Sequence, residues 1–278
     1  MRLLRSEKIS EAIEQLVIDA NYFLPYDIVS AVKEAAGEEK ERKAKNVLYK
    51  IVENYKTAKK GEYPLCQDTG IVVVFLEVGN DVKIEGDIYK AINRGVEAGY
   101  NKGYLRKSVA DPLTRKNTGT NTPCVVHTEI KPGNMLKISI MTKGAGAENK
   151  SAVKMLTPAD GEEGIINFVL ETVKKAGASA CPPYIIGIGI GGNLERAPYL
   201  AKKALLREIG SSNTSKEAAV LEKKILKLIN KLNIGPLGFG GITTALSVMV
   251  ETFPCHIASL PVAVNIQCHS SRHKSITI

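Results

Sequence analysis

The residues able to do chemistry in this sequence gather in a few turn-like strings. YPLCQDTG at 63–70 sets a cysteine, an amide, a carboxylate and a hydroxyl in a row between Pro64 and Gly70. That order allows two readings: a structural turn that happens to contain Cys66, or the edge of a metal site with its own acid beside it. Cys181 in SACPPY and Cys268 in IQCHSSR share the setting, each on a turn at the end of an expected element. Such positions present a thiolate to a ligand instead of packing it away. Cys124 in TPCVVHTEI and Cys255 in FPCHIAS open apolar strands, where a free cysteine acts as a small hydrophobe. Five cysteines in a chain without secretory features argue against a disulfide framework, and no C-x-x-C occurs. The long separations between Cys66, Cys181 and Cys268 do not by themselves establish a metal site.

The elements that must position these residues are of mixed type. Residues 1–60 read as helical, with apolar positions recurring at three and four in ISEAIEQLVIDANYFL and AKNVLYKIVENY. IVVVFLEVG then reads as a buried strand and GDIYKAINRGVEAGYNKGY as a helix. Residues 106–123, RKSVADPLTRKNTGTNTP, form a long polar loop that is either ordered or functional. CVVHTEI and MLKISIMT flank KPGN and predict a hairpin. KGAGAENKSAVKMLTPADG is a second polar stretch, leading into a helix near 161–176. PPYIIGIGIGG, helices near 193–209 and 215–233, the link GPLGFGG, and the strands TTALSVMVET and HIASLPVAVNIQ complete the chain. The class is α+β, a helical N-terminal segment followed by mixed sheets packed with helices, without the regular alternation of a doubly wound fold. We expect one domain over 1–278, with the helical segment at 1–60 and the catalytic core at 61–278.

Two glycine strings approach phosphate-binding patterns. GIGIGG at 187–192 satisfies G-x-G-x-x-G, yet Glu208, at about the right distance for the ribose-binding acid, falls inside a helical stretch. In GAGAENKS at 144–151, Asn149 stands where a phosphate loop needs glycine. Neither string carries a nucleotide site.

The formal charge of +9 and pI near 9.2 raise the question of a nucleic-acid or scaffold partner. Lysines interleave with glutamates along helical segments, the pattern of solvated faces, so no nucleic-acid partner is expected. A positive field would also attract a small dianionic substrate. There is no apolar run of membrane-spanning length, and MRLLRSEKISEAIEQL begins in charged, helix-periodic sequence, not in a signal peptide's apolar stretch. A soluble, cytoplasmic protein with no membrane partner is expected.

Read together, LCQDTG, LRKSVADPLTRKNTGTNTP, KGAGAENKS, ACPPYIIGIGIGG and PVAVNIQCHSSR, in that order over residues 64–272, closely resemble the class I iron–sulfur-dependent fumarate hydratases and the related L-tartrate dehydratases. The likeness is to the α subunit of the two-subunit form. It implies a [4Fe–4S] cluster held by Cys66, Cys181 and Cys268, with one iron lacking a cysteine ligand and free to act as a Lewis acid. Gln67 and Asp68 would then face the space above that iron. Asp68 would be the acid that protonates the departing hydroxyl, against its alternative as a turn-capping aspartate. Arg106 would hold a substrate carboxylate bidentately, against a plain surface charge. His256 matches a family histidine that shares the acid role with Asp68 or holds it in place, against a structural histidine opening a strand. Gly144 and Gly146 would allow close approach of backbone to substrate. Lys143, Asn149 and Arg115 are candidates for outer support, while His127, His269 and His273 receive no role.

The resemblance further implies a separate β subunit carrying the C-terminal domain with a threonine base, further arginines and a lysine, in an α2β2 assembly. This chain alone would then be inactive. Reversible hydration of fumarate to (S)-malate is the first reading, and dehydration of L-tartrate to oxaloacetate the alternative. An electron-transfer cluster would need a fourth thiolate, and neither Cys124 nor Cys255 sits in a matching loop.

Overall fold

The computed structural model describes residues 1–278. In chain order the first half comprises β1 (Arg2–Arg5), α1 (Ser6–Tyr22), α2 (Tyr26–Glu38), α3 (Arg42–Ala58), β2 (Ile71–Gly79), β3 (Val82–Glu85), α4 (Ile88–Lys102), β4 (Val125–Lys131) and β5 (Leu136–Lys143). The second comprises α5 (Ala145–Glu148), β6 (Ala152–Leu156), α6 (Gly161–Ala176), β7 (Tyr184–Gly191), α7 (Arg196–Ala204), α8 (Lys216–Asn230), β8 (Ala245–Phe253), β9 (Leu260–Gln267) and β10 (His273–Thr277). The α+β class is as the sequence predicts. No helix is long and apolar enough to cross a membrane.

The chain forms two compact units, each discontinuous in sequence. The first contains Met1–Pro25, Tyr55–Ala145 and Arg272–Ile278. Its main sheet has the order β10-β5-β2-β4. β2 is apolar on both faces, as a central strand must be, with Val72, Val74 and Leu76 buried on one and Val73 and Phe75 on the other. It pairs antiparallel with β5 and parallel with β4, so the expected β4–β5 hairpin does not form. The physical reason is β2 itself, whose apolar run needs a strand on each edge. The turn between β4 and β5 passes over its end, where Gly79 N donates to Met135 O and Asp81 N to Gly133 O.

α1 buries Ile9, Ile13, Leu16, Val17 and Ala20, a stripe at three- and four-residue spacing. α4 lies against it because Gly95 and Gly99 carry no side chain: a Cβ at Gly95 would stand 2.4 Å from Ser10 O. Asp87 caps α4 by accepting from Lys90 N, and that bond holds its carboxyl below the usual range. β1, at residues read as helical from the sequence, pairs in parallel with β3, and β10 pairs with β5.

The second unit contains Tyr26–Asn54 and Gly146–Ser271. Its sheet runs β6-β9-β7-β8. α6 and α8 cover one face, burying Val169, Val173, Ile225 and Ile229 against Ile186, Ile188, Val250 and Val264. α7 covers the other, where Ala197 and Ala201 meet Ala263. β6, inside the stretch expected to be irregular, is an edge strand whose middle residues are exposed, which hides its apolar alternation.

The glycines of GIGIGG have a packing role here. A Cβ at Gly187 or Gly189 would stand 2.0 Å from Ala201 O or Ala197 O, so their absence lets α7 lie directly on β7. Gly189→Ala should therefore lower unfolding free energy by about 2 kcal/mol or more in urea titration, since the helix must lift off the sheet.

Candidate active site

The Leu65–Gly70 turn of the first unit is fixed from several sides. Leu65 is buried, and its N–H donates to Asn21 O at the end of α1 (2.9 Å). The buried Thr69 hydroxyl donates to Arg106 O. Tyr100, on α4, brings its phenol oxygen to 2.7 Å from Thr69 O and 3.0 Å from Gly70 O. Burial raises the Tyr100 pKa, so the phenol stays a donor. Asn121 Nδ2 donates to Gly70 O (3.2 Å), while its Oδ1 accepts from Ser108 N and Val109 N. Gly70 has φ +75°, and a Cβ there would stand 2.5 Å from Lys143 O. The turn thus requires glycine on both steric and conformational grounds.

Asp68 projects from this turn half-buried. Its Oδ2 accepts from Ala145 N (2.9 Å) and its Oδ1 from Gly70 N (3.2 Å). Each oxygen keeps a further lone pair, so the capping geometry leaves the carboxylate able to take or give a proton. Gly144 makes the approach possible: a Cβ there would lie 2.9 Å from Asp68 Oδ2. Cys66 is half-buried, and its thiol donates to Oε1 of the exposed Gln67 (3.3 Å). Arg106 fixes Thr69 through its backbone carbonyl while its side chain is exposed. The 106–123 loop after it is ordered by its own polar side chains: Asp111 accepts from Thr114 N, the Thr114 hydroxyl and Leu113 N, bonds that in that order hold its carboxyl below the usual range.

Cys181 and Cys268 belong to the second unit. β7 and β9 are antiparallel neighbours with Ile185 opposite Gln267, which places the residues before β7 and after β9 at one end of the sheet. His269 N donates to Cys181 O (3.3 Å), stitching the two turns together. Cys181 is exposed and Cys268 half-buried. Tyr184 records both: burial raises its phenol pKa first, and the two thiols add to the rise. Two of the three cysteines singled out in the sequence are therefore neighbours, while Cys66 lies on its own turn in the first unit. Thiols are the donors that an iron–sulfur group takes, and Cys181 and Cys268 supply two of them on adjoining turns, while no set of three His, Cys, Asp or Glu side chains stands assembled as a metal site.

Other positions depart from the sequence reading. β9 begins at Leu260, so His256 lies on the exposed β8–β9 connection and does not open a strand. Its Nδ1 accepts from Ala258 N (3.1 Å). Cys255 on the same connection is exposed, with its thiol donating to Ser259 O, and is not a packed hydrophobe. Cys124 is one: it packs against the first unit's core, and burial pushes its thiol up to about 11. A Cβ at Gly146 would meet nothing nearer than 3.9 Å, so no close approach within its unit demands that glycine. Lys143 is buried at the end of β5, whereas Arg115 and Asn149 are exposed.

Sequence reasoning missed Asn21, Tyr100, Asn121 and Arg272. Tyr100 lies on the buried stripe of α4 and so reads as core. Asn121 is hidden in a polar loop. Arg272 is only 1% exposed and donates through Nη1 to Asn21 Oδ1 (3.1 Å), and an arginine heading a short strand gives no sign of that burial.

The family model described as Fumarate hydratase (Fumerase) matches residues 10–277. The chain is 45% identical over 272 residues to a Methanocaldococcus jannaschii protein provisionally named L(+)-tartrate dehydratase subunit alpha, covering 95% of each. It is 30% identical over 275 residues to the L(+)-tartrate dehydratase subunit alpha of Escherichia coli K12 and of Shigella sonnei, covering 98% of this chain and 91% of each relative.

Two outcomes follow from the geometry. Tyr100→Phe leaves two buried carbonyls without their hydroxyl partner and should cost about 1–3 kcal/mol of unfolding free energy. In the metal-free native protein at about pH 8, alkylation followed by peptide mass spectrometry should label Cys181 and Cys255 first and Cys124 last, because only the thiolate reacts. Labelling of Cys124 should keep rising with pH until about 11, because burial holds its thiol protonated below that.

Proposed function

Because this chain belongs to the fumarate hydratase (Fumerase) family, we propose that it is the α subunit of a two-subunit hydro-lyase that adds water reversibly to fumarate to give (S)-malate. The observation that carries the reading is the rigid turn that sets Asp68 two residues from Cys66, together with the pairing of Cys181 and Cys268 at one sheet end. L(+)-tartrate is the second substrate reading, favoured by the names of the relatives.

Cys66, Cys181 and Cys268 are the residues that would hold a [4Fe–4S] cluster, which when bound supplies a Lewis acid for the substrate hydroxyl and carboxylate. Asp68 handles the proton of the departing or entering water at its carboxylate, whose position is set by Ala145 N and Gly70 N. Fixing the acid in advance spares reorganisation as the carbon–oxygen bond breaks. The exposed Arg106 guanidinium is the group for a substrate carboxylate, with the planar fork that such a group needs. Gln67 supplies an amide to orient the substrate beside Asp68, and Gly144 keeps the space next to the carboxylate clear of side chain. His256 takes the auxiliary acid role on its exposed connection.

The names of the relatives as alpha subunits support a β subunit partner, which we assign the base for the C3 proton and the remaining carboxylate ligands in an α2β2 enzyme. The surplus of basic residues favours a dianionic substrate over a neutral one.

The test is anaerobic copurification with the β subunit, reconstitution with iron and sulfide, and turnover of fumarate and of both tartrate enantiomers. Turnover should vanish in air, should fall by about a hundredfold or more in Asp68→Asn, and should be lost with iron uptake in Cys181→Ser. Reconstituted protein that takes up no iron, or an Asp68→Asn variant as fast as wild type, overturns the reading.

A further inference from the structure

Arg272 carries one of the most deeply buried charges in the first unit, and the established motifs give it no task. A guanidinium removed from water needs compensation. Nη1 finds it in Asn21 Oδ1, while Nε is buried with no hydrogen-bond partner. Asn21 is itself fully buried, anchored by its Nδ2 to Val17 O, and its own carbonyl receives Leu65 N at the start of the Cys66 turn. The backbone carbonyl of Arg272 accepts from Thr142 N, which ties it to β5 beside Gly144.

The Gly144 position shows where the rest of the guanidinium faces. The point at which a Cβ would stand there is 2.9 Å from Asp68 Oδ2 and 3.4 Å from Arg272 Nη2. Carboxylate and guanidinium therefore flank the same small space. The buried Tyr100 phenol responds to both with opposite signs: besides the dominant effect of burial, Arg272 lowers its pKa and Asp68 raises it.

We propose that Arg272 is a positioning residue for this site: one arm of its guanidinium anchors the Cys66 turn through Asn21, and the other, without bonding Asp68, faces that carboxylate across the space beside Gly144 and so sets the turn and the charge around it. The proposal rests on the hydro-lyase reading above. It gives a task to the arginine that ends PVAVNIQCHSSR, to which the resemblance assigns none, and that task is exercised through Asn21 and the Asp68 turn.

Arg272→Lys tests it in the reconstituted two-subunit enzyme. Lysine keeps the charge but is a single point donor that cannot both bond Asn21 and present a second nitrogen beside Gly144. The expected result is a kcat lower by about thirtyfold or more with KM within about threefold, and no further loss when Arg272→Lys is added to Asp68→Asn, because the effect passes through that carboxylate. A crystal structure of the variant should show the Asp68 Oδ2 to Ala145 N separation opened beyond about 3.5 Å. A kcat within about threefold of wild type, or the same fold-loss in both backgrounds, overturns the proposal. Should Arg272→Lys fail to fold, Asn21→Ser, which withdraws the Nη1 partner and leaves Arg272 in place, carries the same comparison. Wild-type enzyme with no turnover of any of the substrates overturns the hydro-lyase reading and this proposal with it. Active wild type with an indifferent variant overturns this proposal alone.

Discussion

The close approach of Gly70 to the end of β5 is the constraint on which the first unit's chemistry depends. With φ +75° and no room for a Cβ against Lys143 O, the turn reverses in the one conformation that puts Asp68 against the N–H of Ala145. Everything else around the turn preserves that reversal. Tyr100 and Asn121 satisfy the carbonyls that the reversal exposes, and Thr69 reaches the backbone of Arg106. Buried carbonyls without such partners would each cost about 1–3 kcal/mol, enough to favour a different turn. The Asp68 carboxylate is thus bonded directly only to backbone N–H groups, which carry no titratable proton.

The second unit solves a different problem, that of bringing two distant cysteines together. An antiparallel β7–β9 pair does so by register alone, because the residue before one strand and the residue after its neighbour share an end of the sheet. β7 is central because it pairs with β8 on one edge and β9 on the other, and its glycines let α7 lie directly on it. A string that imitates a nucleotide fingerprint is accounted for by helix–sheet packing.

What could be read from the sequence divides along physical lines. Long periodic segments such as Ile71–Gly79 and Gly161–Ala176 announce themselves, because burial of one face or both writes a pattern into neighbouring residues. Strand pairing does not. β4 and β5 are adjacent in sequence and look like a hairpin, yet the strand between them comes from earlier in the chain. Short edge strands such as β1, β6 and β10 bury too little to leave a signature. Among the candidate site residues, Cys66, Asp68, Cys181 and Cys268 stand out in the sequence because they lie in unusual strings. The groups that hold them do not, since Tyr100, Asn121 and Asn21 act through one or two hydrogen bonds to main chain far away in sequence. His256 shows the converse: a polar residue next to an apolar run reads as the run's first member, while the chain starts its strand four residues later.

The order in which the chain visits its two units also bears on how the protein is made. The first unit is complete only when Arg272–Ile278 have joined it, although its remaining parts end at Ala145. A growing chain therefore emerges from the ribosome with β2 and the Cys66 turn long before β10 and Arg272 exist to close over them. During that interval one edge of β5 is unpaired and Asn21 lacks its guanidinium. Exposed strand edges of this kind are where nascent proteins self-associate. Residues 272–278, made after the whole of the second unit, thus act as the latch of the first, so a change that removes β10 would strike the part of the fold built earliest.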